Sequence, residues 1–470
     1  MARALASRHP QLVLLGAGAL GCLILLPTLS QPLYAIALVG AAGAIWLASR
    51  SVAYPLALAG VPTIIEAIVG HNPLPKGAVT FIFAGWIAVA VAFAIARGTH
   101  PTAGRGLVSP TVLLSLTLLG VMILRLGPSP SHEYGSTKVQ LYIADNLVFL
   151  IGAVFVGARR EDLRLFFAIV LAVAVGEGTV LLLKLLSGNI HMTFEGRFAL
   201  SAQEYPIYLG RDSADGLIIA IYAVLTATRT WTRMAAVAAL PLLTVAMLAA
   251  GSRGPVVACL IGVIVLVVLT STRGRSRRRL LLAGGGLLGA MAIVPLVLPG
   301  SAIGRALSAI VGGAGGLATN GRSALWEKAF TGFGQHPLFG LGTGGFASLN
   351  PPLPYPHNIL LEAGVELGIV GVLLVAGIVF SAARRLYGVW RTSGDRDRID
   401  AAVLAALFVA ALINALVSGA IQDNKEIWLW GGLAVGMSTR LMFQRQPGTV
   451  FRQASALTTP YGGRWDGAAE

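Results

Sequence analysis

The feature that most limits what this chain can become is its succession of long apolar runs, broken by Gly, Pro or Arg at intervals of roughly 25 to 35 residues. About 20 helical residues cross a hydrocarbon layer of ~30 Å. Lipid offers no partner to an unpaired backbone N–H or C=O, so runs of this length fold as helices rather than as open sheets. The chain is 56% hydrophobic and only 12% charged, with a mean hydropathy of +0.77, against a charged share near ~25% in soluble proteins. It reads as an all-α polytopic membrane protein.

Hydropathy and breakers predict about fourteen spans (12–14), near 11–29, 33–49, 52–70, 78–96, 109–126, 140–158, 165–186, 208–228, 234–250, 255–271, 280–299, 357–382, 401–420 and 426–443. Pro55 and Pro62 leave the third open to a kinked or re-entrant course. This divides the chain into eleven spans over 1–299, a large extracytoplasmic loop over 300–356, three spans over 357–443 and a disordered cytoplasmic tail over 444–470. No internal repeat is visible. The basic N-terminus and residues 11–29 read as a retained first helix rather than a cleaved leader, because no small-x-small site follows.

A net charge of +15 suggests nucleic acid in a soluble protein, but here the arginines alternate with the spans. Arg50, Arg97, Arg159, Arg160, Arg229, Arg233, the cluster Arg273 to Arg279, Arg384, Arg385, Arg391 and Arg440 all fall on one side. That side is the cytoplasm by the positive-inside rule, with both termini inside, and no nucleic-acid partner is expected. The two cysteines, Cys22 and Cys259, sit in separate apolar runs. They imply neither a disulfide framework nor a cysteine-built zinc site.

Polar chemistry concentrates at the outer mouths. His357 follows PPLPYP and precedes an apolar run, which places it near a helix N-terminus. There the macrodipole favours an anion and keeps the imidazole neutral; the alternative is a histidine that only holds its own loop. In Gly251-Ser252-Arg253-Gly254-Pro255, Ser252 suits an N-cap and fixes Arg253 at the mouth of the tenth span, facing either an anionic ligand or a lipid headgroup. Arg211 opens another outward mouth and either binds ligand or pairs with Asp212 or Asp215, while Arg197 lies further out in the same loop. Arg322 begins a short amphipathic segment, GRSALWEKAF, as a phosphate clamp or as an interfacial arginine. Together these cations and helix ends fit a diphosphate.

Below His357, Asn358, Glu362 and Glu366 share one helix face at i, i+4 and i+8; the acids either orient the histidine and balance the arginines or glue helices. Gly312 to Gly316 and Gly340 to Gly345 lack the strand and lysine of a phosphate loop and read as a mobile lid or tight turns. Asp395-Arg396-Asp397 reads as a solvated loop of alternating charge.

The ordered set SRG (252–254), GR-x3-W (321–326), HPLFGLGTGGF (336–346) and HN-x3-EAGVELGIVG (357–371) resembles the O-antigen ligase and Wzy-type polysaccharide polymerase family. The resemblance spans about 251–371 and implies a GT-C class glycosyltransferase at the outer face of the bacterial plasma (inner) membrane. Its donor would be an undecaprenyl-diphosphate-linked glycan, with no metal or other cofactor and inversion at the anomeric carbon. The acceptor would be lipid A core for a ligase or a second lipid-linked saccharide for a polymerase. Carried onto this chain, Arg253 and Arg322 bind the diphosphate, and His357 activates the acceptor hydroxyl or contacts the phosphate. A further family arginine maps to Arg211 or Arg197. The rival from another class is a transporter or flippase of lipid-linked oligosaccharide, which would place its polar residues near the midplane and show inverted repeats.

Overall fold

A computed structural model describes residues 32–69, 77–192, 197–201, 205–270 and 322–445. The predicted spans 11–29 and 280–299, Gly312 to Gly316, Cys22, the arginine cluster 273–279 and the tail beyond 445 lie outside the described residues.

The described chain is helical apart from a two-stranded ribbon. Its helices are α1 (Pro32–Arg50), α2 (Ala53–Ala57), α3 (Val61–Val69), α4 (Ala78–Ala96), α5 (Ala103–Leu107) and α6 (Pro110–Leu124). They continue with α7 (His132–Gly157), which contains a π-helical turn over Tyr142–Leu147, and α8 (Arg160–Leu186). The ribbon pairs His191–Met192 antiparallel with Phe198–Ala199. Then come α9 (Pro206–Thr226), α10 (Thr230–Ala249), α11 (Arg253–Thr270), α12 (Arg322–Gln335), α13 (Ile359–Thr392), α14 (Asp395–Val417) and α15 (Lys425–Gln444).

Seven described helices, α4, α7, α8, α10, α11, α13 and α14, are long and apolar enough to cross a membrane. The chain is thus an all-α polytopic membrane protein, with seven such helices among the described residues, which leave out two of the fourteen predicted spans. An eighth is reached only by joining Gly40–Arg50 to Ala53–Ile68 across a bend of 114°. That bend falls between the predicted second and third spans, and the third takes the kinked course that Pro55 and Pro62 left open: a 3-10 turn over Leu58–Gly60 separates α2 from α3. Gly60 faces α8 so closely that a Cβ would stand 2.9 Å from Val173. Helices α9 and α15 have spanning length but carry Arg211, Asp212 and Asp215, and Lys425, Glu426 and Arg440. α6 has only 15 residues.

Without a hydrophobic drive between helices in lipid, close approach depends on small residues. A Cβ on Gly432 or Gly436 of α15 would lie 2.5 or 2.2 Å from the Leu150 or Val154 carbonyl oxygen of α7. These helices therefore touch backbone to backbone, with Trp428 and Trp430 buried beside them.

α13 breaks at Gly368, whose φ of 69° and ψ of −160° interrupt the helix. The break leaves carbonyls without an i+4 donor, and the segment after α12 supplies the missing partners. Leu341 N–H donates to Val365 O at 2.9 Å, Gly342 N–H to Glu366 O at 2.9 Å and Ile369 N–H to Pro337 O at 2.8 Å. HPLFGLGTGG and EAGVELG are two halves of one joint. The expectation of a mobile lid at Gly340 to Gly345 is corrected here: Thr343 N–H bonds Arg125 O at 3.0 Å, and Arg125 reaches Gly340 O at 3.0 Å. Gly340, Gly342 and Gly344 all have positive φ, and a Cβ on any of them would strike neighbouring backbone. The tight-turn reading holds.

Asp395 and Asp397 are likewise not in a solvated loop. They occupy the first turn of α14, where the dipole favours acids. Asp397 meets Arg440 at 2.9 Å and Arg160 at 3.9 Å.

Candidate functional site

The site is organised by the connection between α14 and α15, residues 418–424, which the sequence reading passed over. Four elements tie it down. Arg211 of α9, only 3% exposed, donates to Ser418 O at 3.2 Å, Asn424 Oδ1 at 3.0 Å and Asp423 O at 3.4 Å, and meets Glu426 at 3.5 Å. Asn146 of α7 donates to Ile421 O at 3.2 Å. Glu362 of α13 accepts from Ile421 N–H at 2.8 Å. His357 accepts the Gly419 N–H at Nδ1, at 3.2 Å.

Arg211 therefore does not pair with Asp212 or Asp215; its guanidinium is committed to this connection. Gly210, its neighbour, is wedged against the α10–α11 turn, where a Cβ would lie 3.2 Å from Pro255 and 3.5 Å from Ala250. Gly254 sits equally close to α14, 3.2 Å from Val417 and 3.5 Å from Asn414 by the same measure. Arg253 is thus placed beside the connection that holds Arg211 and His357. It stands half-buried at the first residue of α11 with no hydrogen-bond or ion-pair partner among the described residues. Ser252 is buried, but its hydroxyl finds no partner, so it does not cap the helix as expected.

Arg322 is the first residue of α12, whose inner face buries Leu325 and Ala329 against Phe346 and Val365. Trp326, one turn on, donates through Nε1 to Pro356 O at 3.0 Å, and Lys328 bonds the Leu349 and Asn350 carbonyls at 2.8 Å. Phe330 alone of the apolar set stays exposed. The strap fixes Arg322 near the histidine.

His357 itself has a φ of 56°, rare for a residue with a side chain. The Tyr355 ring meets it edge-on with centroids 4.7 Å apart. Burial, then the charges of Arg322 and Arg211, hold its pKa down to about 4. Burial and the nearby Asp423 push the Tyr355 hydroxyl up to about 12. Both rings are neutral at pH 7. Because Nδ1 accepts a backbone N–H, the neutral imidazole carries its proton on Nε2 and presents a donor to the site.

Asn358 caps α13, accepting from Leu360 N–H at 3.0 Å and Leu361 N–H at 3.1 Å and donating to Leu416 O at 2.9 Å. One and two turns below, Glu362 and Glu366 close on the fully buried Lys138 of α7. Glu366 also takes the Gly344 N–H at 2.9 Å. Lys138 was missed because its segment, HEYGSTKVQL, is mostly polar and Lys138 itself precedes the predicted span. The available clue was charge balance: two acids buried on one helix face require a cation. Arg197 lies just before the second ribbon strand, partly buried. The cations that act on His357 are Arg322 and Arg211.

The structure thus brings His357, Arg211 and Glu362 onto the 418–424 connection, sets Arg322 close enough to act on His357, and packs Gly254, next to Arg253, against the end of α14. Comparison with curated proteins returns no significant match. A family model described as O-Antigen ligase matches residues 236–376, which include Arg253, Arg322, His357, Glu362, Glu366 and the Gly368 joint. Over those residues the chain is similar to the O-antigen ligase family.

Proposed function

We propose that the chain is a GT-C type, metal-independent, inverting glycosyltransferase that moves a glycan from undecaprenyl diphosphate onto a saccharide hydroxyl at the outer face of the bacterial inner membrane. What supports this reading is a neutral His357 held under the charges of Arg322 and Arg211, with Arg253 at the start of α11 beside Gly254, which packs on the end of α14. In the transfer, the acceptor oxygen attacks the anomeric carbon while the bond to the diphosphate oxygen breaks. Negative charge grows on the departing diphosphate, which takes up the hydroxyl proton.

Groups fixed in advance around developing charge stabilise the transition state without reorganising. Arg253 and Arg322 fill that role, aided by the free N–H groups at the start of α11. His357 offers Nε2–H to a phosphate oxygen. Its engaged Nδ1 argues against its serving as the base. Arg211 holds the connection instead of the phosphates.

Purified protein given a lipid-diphosphate oligosaccharide tests this. Arg253→Ala and Arg322→Ala should each lower kcat by about 10²–10³-fold with the thermal midpoint kept. Undiminished transfer in either variant overturns the assignment. Products separate the two family activities: chain elongation marks a polymerase, and transfer to lipid A core marks a ligase.

A further inference from the structure

At the end of α13 remote from His357, an open cleft of about 130 Å³ runs between α11, α13 and α14. Its walls are apolar: Leu269 on α11, Leu386 and Tyr387 on α13, and Phe408 and Val409 on α14. Trp390 closes one end. Its Nε1 donates to Leu269 O at 3.0 Å, which pins the indole across to α11.

A cation has been built onto that indole. Arg398 of α14 places its guanidinium 5.3 Å from the Trp390 ring centroid and donates Nε to Trp390 O at 3.0 Å. Stacking and the Nε bond fix the plane of the group. Its two terminal nitrogens have no partner among the described residues. Arg391 and Arg384, exposed on α13 beside the cleft, also lack a carboxylate there. On the same end of the bundle, by contrast, Arg160 and Arg440 meet Asp400 and Asp397 at 3.0 and 2.9 Å. Asp397 and Asp400 are thus spent on those pairs, while Arg398, Arg391 and Arg384 at the cleft mouth have no carboxylate among the described residues.

We propose that this cleft binds an anionic phospholipid, with an acyl chain along Leu386, Tyr387 and Phe408 and the headgroup phosphate on Arg398 and Arg391. An apolar slot ending in an oriented guanidinium fits a molecule with a hydrocarbon chain and a phosphate at that spacing. A neutral lipid satisfies only the slot. The site lies apart from the proposed glycan-transfer site and does not depend on it.

The full chain is purified in detergent and its thermal midpoint followed as phosphatidylglycerol or phosphatidylcholine of identical acyl chains is added. Phosphatidylglycerol should raise the midpoint more, and Arg398→Gln should remove at least half of the difference. If Arg398→Gln does not fold, the exposed-site double variant Arg384→Gln/Arg391→Gln carries the same comparison. Native mass spectrometry of the wild type should retain phosphatidylglycerol adducts after phosphatidylcholine has been lost. Equal shifts from both lipids, or a full difference surviving the variants, overturns the proposal. So does a crosslink from a cysteine at Val409 to residues 271–321, which would mean the chain fills the cleft itself.

Discussion

His357 shows how a single residue's chemistry is set by partners that come from far away in the chain. With its pKa lowered from 6.5 to about 4, by burial first and by Arg322 and Arg211 after it, the folded state holds the ring neutral where the unfolded chain would protonate it. The unfolded state then binds more protons between those two values. Stability from this group is fully present above about pH 6.5 and is lost as pH falls toward 4. Transfer activity should accordingly stay flat from pH 8 down to about 5, without the break near 6.5 of an ordinary histidine. In Arg322→Gln the residual rate should show its acid limb moved upward, since one of the depressing charges is gone. A kcat-versus-pH profile reads both, and a wild-type limb centred near 6.5 would contradict the neutral-donor role.

At this scale the sequence was informative about residue types and silent about partners. PPLPYP before an apolar run marks His357 as the last residue before a capped helix, but nothing local says that Gly419, sixty-two positions on, will occupy its Nδ1. Arg211 illustrates the converse. Its nearest acids in sequence, Asp212 and Asp215, looked like partners; Asp212 at i+1 points elsewhere, and although Asp215 at i+4 shares its side of the helix, the guanidinium turns to the 418–424 connection.

Among the elements, α13 is the one whose sequence and structure differ most instructively. Its residues read as one apolar span after His357, because the hydrophobic period continues through the break. The break at Gly368 is nevertheless the reason for the glycine-rich segment upstream, which pairs with the carbonyls it releases. A Cβ at Gly368 would stand 2.3 Å from the Leu338 carbonyl group in a backbone region side chains avoid. Gly368→Ala should therefore cost about 1–3 kcal/mol from the backbone term alone, with the steric conflict added. A lowered thermal midpoint together with new protease cleavage within 336–345 is the expected result. An unchanged midpoint would mean the joint is not needed.

The third predicted span takes the kinked course that its prolines left open. Hydropathy sees apolar residues but not direction: the stretch carrying Pro55, Gly60 and Pro62 is split into two short helices, and it lies at 114° to the helix before it. Charge has a similar effect on α9 and α15. They were located from their apolar stretches, while the polar residues near their N-terminal ends belong to the site's framework.

For the whole molecule, the orientation implied by the arginines makes a direct prediction. Cysteine at Leu353, on the His357 side, should react with an impermeant maleimide in intact spheroplasts, and cysteine at Arg396, at the other end of α13, only after permeabilisation. The reverse pattern would put the candidate site in the cytoplasm and remove the proposed function with it.

The sequence by itself determined that this chain is helical and lies in a membrane, where most described helices fall and which mouths carry the cations. Those follow from local, additive properties: apolar length, breakers and the cost of burying charge. Only the tertiary structure decided that Lys138 answers Glu362 and Glu366, that residues 418–424 tie α7, α9 and α13 together, and that the glycines of 340–344 serve a broken helix. Each of these pairs groups far apart in the chain. In lipid every buried polar group must find a partner, but which one it finds depends on how the helices pack, and no local pattern records that.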